Sequence, residues 1–164
     1  MKRIEHLIYV SLKYTRTVDV IKSIIDRFIT VFDLCFLGML EEHEENIPSR
    51  EIPKSPGLRA CLIQEKFKNE PEFLEFIELY HHLRELKRAE FKRSREYRRH
   101  VTMTAFLQSG PAEITIDTIM EYYKRIKIFT YVVKNMLERE EDAGEQDISE
   151  MIEKTTRIIE SERW

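Results

Sequence analysis

From Val18 to Leu40 the chain repeats apolar side chains in steps of three and four: Val18, Ile21, Ile25, Phe28, Phe32, Cys35 and Met39. Ile24, Ile29, Val31, Phe36 and Leu40 widen that stripe, while Asp19, Lys22, Asp26 and Arg27 cover the opposite side. Positions at this spacing share one face of an α-helix, whereas a strand groups residues at a period of two. The pattern calls for one long helix. Its apolar face is wide enough to meet more than one neighbour, so the rest of the chain must supply covers for it.

Two further stripes meet that need. Phe73, Phe76, Ile77, Tyr80, Leu83 and Leu86 mark a helix that starts at Asn69-Glu70-Pro71, with proline in the first turn. Ile116, Ile119, Tyr123, Ile126, Thr130, Val133 and Leu137 mark another, opened by Thr115 or by Thr118, the latter with Glu121 as a capping box. Upstream, Ile4, Leu7, Ile8 and Leu12 favour a helix, although residues 4–15 are rich enough in β-branched and aromatic side chains to leave strand open. A break is expected near Thr15–Thr17, where a hydroxyl is placed to cap the next helix. Pro48, Pro53 and Pro56 make Glu41–Gly57 a linker, and Leu58, Cys61 and Leu62 suggest a short helix after it. Gln108-Ser109-Gly110-Pro111 is a turn, and its flanks have enough β-propensity to leave room for a short hairpin near residues 101–116.

The expected fold class is all-α, an antiparallel bundle of four to five helices with that optional hairpin. A helical-bundle domain is expected over residues 1–140, followed by an acidic hinge and a short C-terminal helix over 141–164. The length of 164 residues suits one core, and 4 Gly with 5 Pro give little material for the turns of an all-β fold. Charged residues reach 35%, which suits long helices with solvated outer faces. Scarce Asn and Gln beside abundant Glu, Lys, Arg and Ile give a thermophile-like composition.

The most apolar run, Val31 to Leu40, contains Asp33 and is far shorter than the roughly 20 residues of a membrane span. No signal peptide is expected behind Met1-Lys2-Arg3. Cys35 and Cys61 lack metal-type spacing, and a buried reduced thiol at Cys35 fits a reducing cytoplasm. No cofactor is expected, since the chain has no Gly-rich phosphate loop and no GxSxG elbow. No metal site is expected either. His81 and His82 point apart on a helix, and Glu78 with His82 forms neither HExxH nor a paired ExxH.

Charge supplies the functional lead. The segment Arg84–His100 holds eight basic residues against three acidic ones, a net of five positive charges in a protein whose overall charge is −3. Phe91, Tyr97 and His100 are interleaved with Lys87, Lys92, Arg93, Arg95, Arg98 and Arg99. Read as the basic end of a helix, such a patch neutralises phosphates and offers rings to bases. The plainer reading is a solvated face whose arginines pair with the acidic stretches at 41–45 and 138–147.

The segment ends Arg93-Ser94-Arg95-Glu96-Tyr97-Arg98-Arg99-His100. Here the sequence resembles the HEPN superfamily, helical bundles whose nuclease members carry an Arg-x(4–6)-His motif. Arg95 and His100 have four intervening residues, and Arg93 and His100 have six. Glu96 stands after Arg95 where active members usually have Asn, Asp or His. The resemblance extends over roughly residues 4–137. It implies a homodimer whose paired motifs form the site, with Arg95 holding a scissile phosphate and His100 moving the proton of a 2′-hydroxyl, as a metal-independent endoribonuclease. RNA-binding roles are then expected for Lys87, Lys92, Arg93, Tyr97, Arg98 and Arg99. The alternative is a non-catalytic dimeric interaction protein that binds RNA, a nucleotide or a protein partner.

Overall fold

The structure, a computed structural model, describes residues 1–42, 52–138 and 148–161. Helices dominate it, but a three-stranded antiparallel sheet interrupts them, so the fold is mixed α/β and not the all-α bundle expected from the helical stripes. In chain order the elements are α1 (Lys2–His6), a π-helical stretch (Leu7–Leu12), α2 (Val18–Glu42), α3 (Pro56–Lys66), α4 (Pro71–Arg88), β1 (Phe91–Ser94), β2 (Thr102–Leu107), β3 (Gly110–Ile114), α5 (Ile116–Leu137) and α6 (Ile148–Ser161). They form two compact units, and α2, α4 and α5 each contribute to both.

The first unit comprises residues 1–30 and 79–124. Residues 4–15, open between helix and strand in the sequence, are helical as far as Tyr14, and Ile4, Ile8 and Leu12 bury one face at a spacing of four. The Tyr123 hydroxyl donates to Glu5 Oε1 at 2.9 Å, which satisfies the polar end of a fully buried ring. Thr115, not Thr118, opens α5. Its hydroxyl accepts from Thr118 N–H at 3.3 Å, while Thr115 N–H donates back to Thr118 Oγ1 at 3.2 Å. This is a reciprocal cap in which a threonine takes the place of the usual glutamate.

The sheet lies in the first unit with strand order β1-β2-β3. Leu107 pairs with Gly110 across the two-residue connection Gln108–Ser109, and Gly110 has φ +121°, which a side chain would strain. Met103, Ala105 and Ile114 alternate onto the buried face. The hairpin for which the sequence left room therefore forms as β2 and β3. β1 was not anticipated: Phe91–Ser94 pairs with Thr102–Ala105. The basic helix expected over Arg84–His100 accordingly stops at Arg88. Leu86 is the last residue of its apolar stripe, so later helical turns would have no face to bury. The tertiary partner β2 then overrides the helical propensity of the Lys, Arg and Glu residues that follow.

The second unit draws on the described residues of 31–78 and 125–164. Its centre is Phe129, fully buried, with ring centroids of Phe32, Phe76, Phe36 and Phe73 at 4.6, 5.4, 5.9 and 5.9 Å. Phe67 stacks on Phe73 at 4.2 Å and extends the cluster to the end of α3. On α6, Met151, Thr155 and Ile159 turn inward at helical spacing. Of the expected linker and acidic hinge, residues 43–51 and 139–147 lie outside the described residues. Burial pushes the Cys35 thiol up to about 11, which leaves little thiolate at neutral pH. No helix among the described residues is long and apolar enough to cross a membrane.

Because four rings converge on Phe129, Phe129→Ala should lower stability by about 3–5 kcal/mol through lost burial and an unfilled cavity. Urea denaturation followed by circular dichroism measures this. A loss well under 1 kcal/mol would show that Phe129 is not the centre of the cluster.

Candidate nucleic-acid interface

Of the residues singled out for function, Lys87 stands in the last turn of α4, and the others stand on β1 and on the connection 95–101 between β1 and β2. Register decides what each can do. Phe91 and Arg93 lie opposite Ala105 and Met103, on the inward face of the edge strand, whereas Lys92 lies opposite Thr104 on the other face. Arg93 therefore reaches toward α2. Its Nη1 and Nη2 donate to Asp19 Oδ2 and Oδ1 at 2.7 and 2.8 Å, a two-pronged bond matched to guanidinium geometry. Lys22 Nζ stands 4.1 Å from the Phe91 ring centroid. Lys92 sits 5.5 Å from the ring of Phe106, on the outer face.

The connection is fastened to the start of α2 at two further points. Val18 N–H donates to Glu96 Oε1 at 3.2 Å, so the cap of α2 comes from a residue 78 positions away and not from a local threonine hydroxyl. Tyr97 N–H donates to the carbonyl of Arg16 at 2.8 Å. Backbone strain concentrates here: the three positive φ values of described non-glycine residues belong to Arg16 (50°), Arg95 (53°) and Tyr97 (63°). Such conformations persist when surrounding bonds over-determine them, as the fastenings do.

Arg95, Tyr97, Arg98, Arg99 and His100 are all exposed. The His100 carbonyl accepts from Thr102 Oγ1 at 3.0 Å. The side chains of Arg95, Arg98, Arg99 and His100 take part in no ion pair or hydrogen bond among the described residues. Of the other three predicted cations, two are engaged in ion pairs, Arg93 with Asp19 and, at 3.5 Å, Glu96, and Lys87 with Asp26 at 2.9 Å, while Lys92 lies over the Phe106 ring. Arg95 and His100 thus share one loop but not the helix end expected for them. That expectation fails because strand pairing replaces the helix. Neither described cavity takes a wall from them. One, of about 340 Å³, lies among Tyr131, Asn135, Met151 and Lys154; the other, of about 140 Å³, lies among Lys22, Asp26, Leu86 and Lys87. His82, on α4, hydrogen-bonds the Tyr122 hydroxyl at 2.8 Å.

Sequence reasoning missed the part played by Glu96 and Arg16. Glu96 stood out only as a departure from a motif, and its distant amide partner leaves no local signal. No family model matches the chain, and no curated protein or solved structure does either.

Two measurements check the fastening. Removing the cap with Glu96→Ala should cost about 1 kcal/mol in urea denaturation, whereas Arg95→Ala should leave stability unchanged. Equal effects would show that Glu96 does not hold α2. The bond from Arg93 holds the Asp19 carboxyl below its ordinary value and raises the guanidinium. A lowered carboxyl contributes stability above its unfolded pKa of about 4 and loses it as pH falls through the folded value. The stability gap between wild type and Arg93→Ala should therefore be constant at neutral pH and close in acid; a gap that widens in acid would contradict the pairing.

Proposed function

We propose that the protein binds RNA through the phosphate backbone, using the connection 95–100 as its contact loop. One observation carries this reading: Arg95, Arg98, Arg99 and His100 are held in place by bonds their side chains do not make, and are left exposed and unneutralised among the described residues. Ordered cations aimed at solvent in a chain of net charge −3 are suited to a polyanion, whose counterions they release on binding. Lys92 adds a further charge from the outer face of β1. Arg93 and Lys87 act differently. Their partners Asp19 and Asp26 commit them to the fold, and they contribute to the field without being free contacts. Two unpaired cysteines fit a reducing cytoplasm as the compartment.

Cleavage is the second reading, and it has its own support. The Glu96 carboxylate is engaged by Val18 N–H and lies near Arg93, so it does not neutralise Arg95. On this reading Arg95 steadies the scissile phosphate, as the HEPN resemblance suggests, and His100 takes the 2′-hydroxyl proton. The 2′-oxygen then attacks phosphorus, the 5′-oxygen leaves with a proton, and a 2′,3′-cyclic phosphate remains. The homodimer implied by the resemblance would bring two such loops together.

Titration of labelled RNA at several salt concentrations tests binding. Arg98→Ala should weaken association and lower the salt slope by about one unit. Absence of association with any RNA at low salt would sink the reading. Cleavage in EDTA that survives His100→Ala would remove the second reading alone, because the activity would then belong elsewhere.

A further inference from the structure

The contact loop does not stand alone. Tyr97 N–H is bonded to the carbonyl of Arg16, so the loop rests against the end of the N-terminal helical segment. That segment closes with Lys13, Tyr14, Thr15 and Arg16, and Arg16 Nε donates to the Lys13 carbonyl at 3.0 Å. Tyr14 and Tyr97 are each 75% exposed, more than any other large apolar or aromatic side chain among the described residues. Tyr14 lies two positions from the carbonyl that receives the Tyr97 amide. Two maximally exposed rings, on segments more than eighty positions apart in sequence, are thus fastened to one place. Lys13 Nζ stands 5.9 Å from the Tyr14 ring centroid, and along the chain Arg16 follows Tyr14 by two positions while Arg95, Arg98 and Arg99 flank Tyr97 within two.

We propose that Tyr14 and Tyr97 form a stacking platform for unpaired bases, and that the protein's ligand is single-stranded RNA. This deepens the RNA-binding reading and rests on it. A duplex offers phosphates but keeps its base faces stacked inside. An unpaired strand offers both, and cationic surfaces with interposed rings suit such strands whatever their sequence. Leaving two large rings in water has no benefit to folding, since burial is what stabilises an aromatic side chain. The positive φ values at Arg16 and Tyr97 set the direction in which each segment leaves their shared hydrogen bond, so the backbone that carries the two rings is fixed before a ligand arrives.

Fluorescence polarisation with three labelled probes tests the proposal: an oligouridylate, an RNA duplex of equal length, and a backbone-matched oligomer without bases. The oligouridylate should bind tightest. Tyr14→Leu and Tyr97→Leu should each weaken its binding by roughly fivefold to a hundredfold, while Tyr→Phe at either position restores it. Neither Leu variant should change the salt slope or the affinity for the baseless oligomer, and circular dichroism confirms that each is folded. Equal binding of duplex and single strand, with Leu variants at wild-type affinity, would overturn the platform and leave phosphate binding intact. Failure of all three probes to bind would overturn both.

Discussion

The start of α2 is a junction where three residues from one short stretch of chain attach. Glu96 accepts the Val18 amide, Arg93 grips Asp19 with both guanidinium prongs, and Tyr97 donates to the Arg16 carbonyl. A helix leaves its first amides without intrahelical partners, and its amino end is electropositive. A carboxylate from another element answers both needs at once. Exposed ion pairs such as Arg93–Asp19 contribute little alone. Here the pair fixes a strand end and the neighbouring carboxylate fixes a helix end, so each bond reduces the freedom the others must restrain. The first turn of α2 belongs to the first unit, as do β1 and the connection that secure it.

The same bonds explain why the contact loop is charged and ordered together. A loop crowded with arginine repels itself and favours extended, mobile conformations. In this protein its acidic member and its backbone carry the attachments, which leaves the guanidinium groups of Arg95, Arg98 and Arg99 to solvent. Fixing the loop in advance lowers the entropy that a ligand would otherwise have to remove.

How much of this was legible in the sequence depends on how local each cause is. The helices around Phe32, Tyr80 and Ile126 were readable because their apolar positions recur at helical spacing within one segment. The hairpin turn was readable from Gln108-Ser109-Gly110-Pro111, since Gly110 must adopt a positive φ. β1 was not readable. Phe-Lys-Arg-Ser has no alternating apolar pattern, and its strand state is decided by Thr102–Ala105 beside it. For the candidate site, the basic residues were legible by composition, but the division into engaged and free cations was not. Arg93 and Arg95 look alike in sequence and at a spacing of two would share a strand face; β1 ends at Ser94 and Arg95 turns to φ 53°, which separates the one that meets Asp19 from the one that meets water.

That register also has a guardian. β1 is a short edge strand, paired along one side by a ladder from Phe91↔Ala105 to Ser94↔Thr102, and edge strands are prone to sliding. A slip of one residue would exchange its faces, bringing Lys92 and Ser94 inward and swinging Arg93 and Phe91 out. It would part Arg93 from Asp19 and draw Glu96 away from Val18 in the same movement. The surface ion pair thus gives its modest free energy to one alignment of the strand alone. It works as a key that fits a single register.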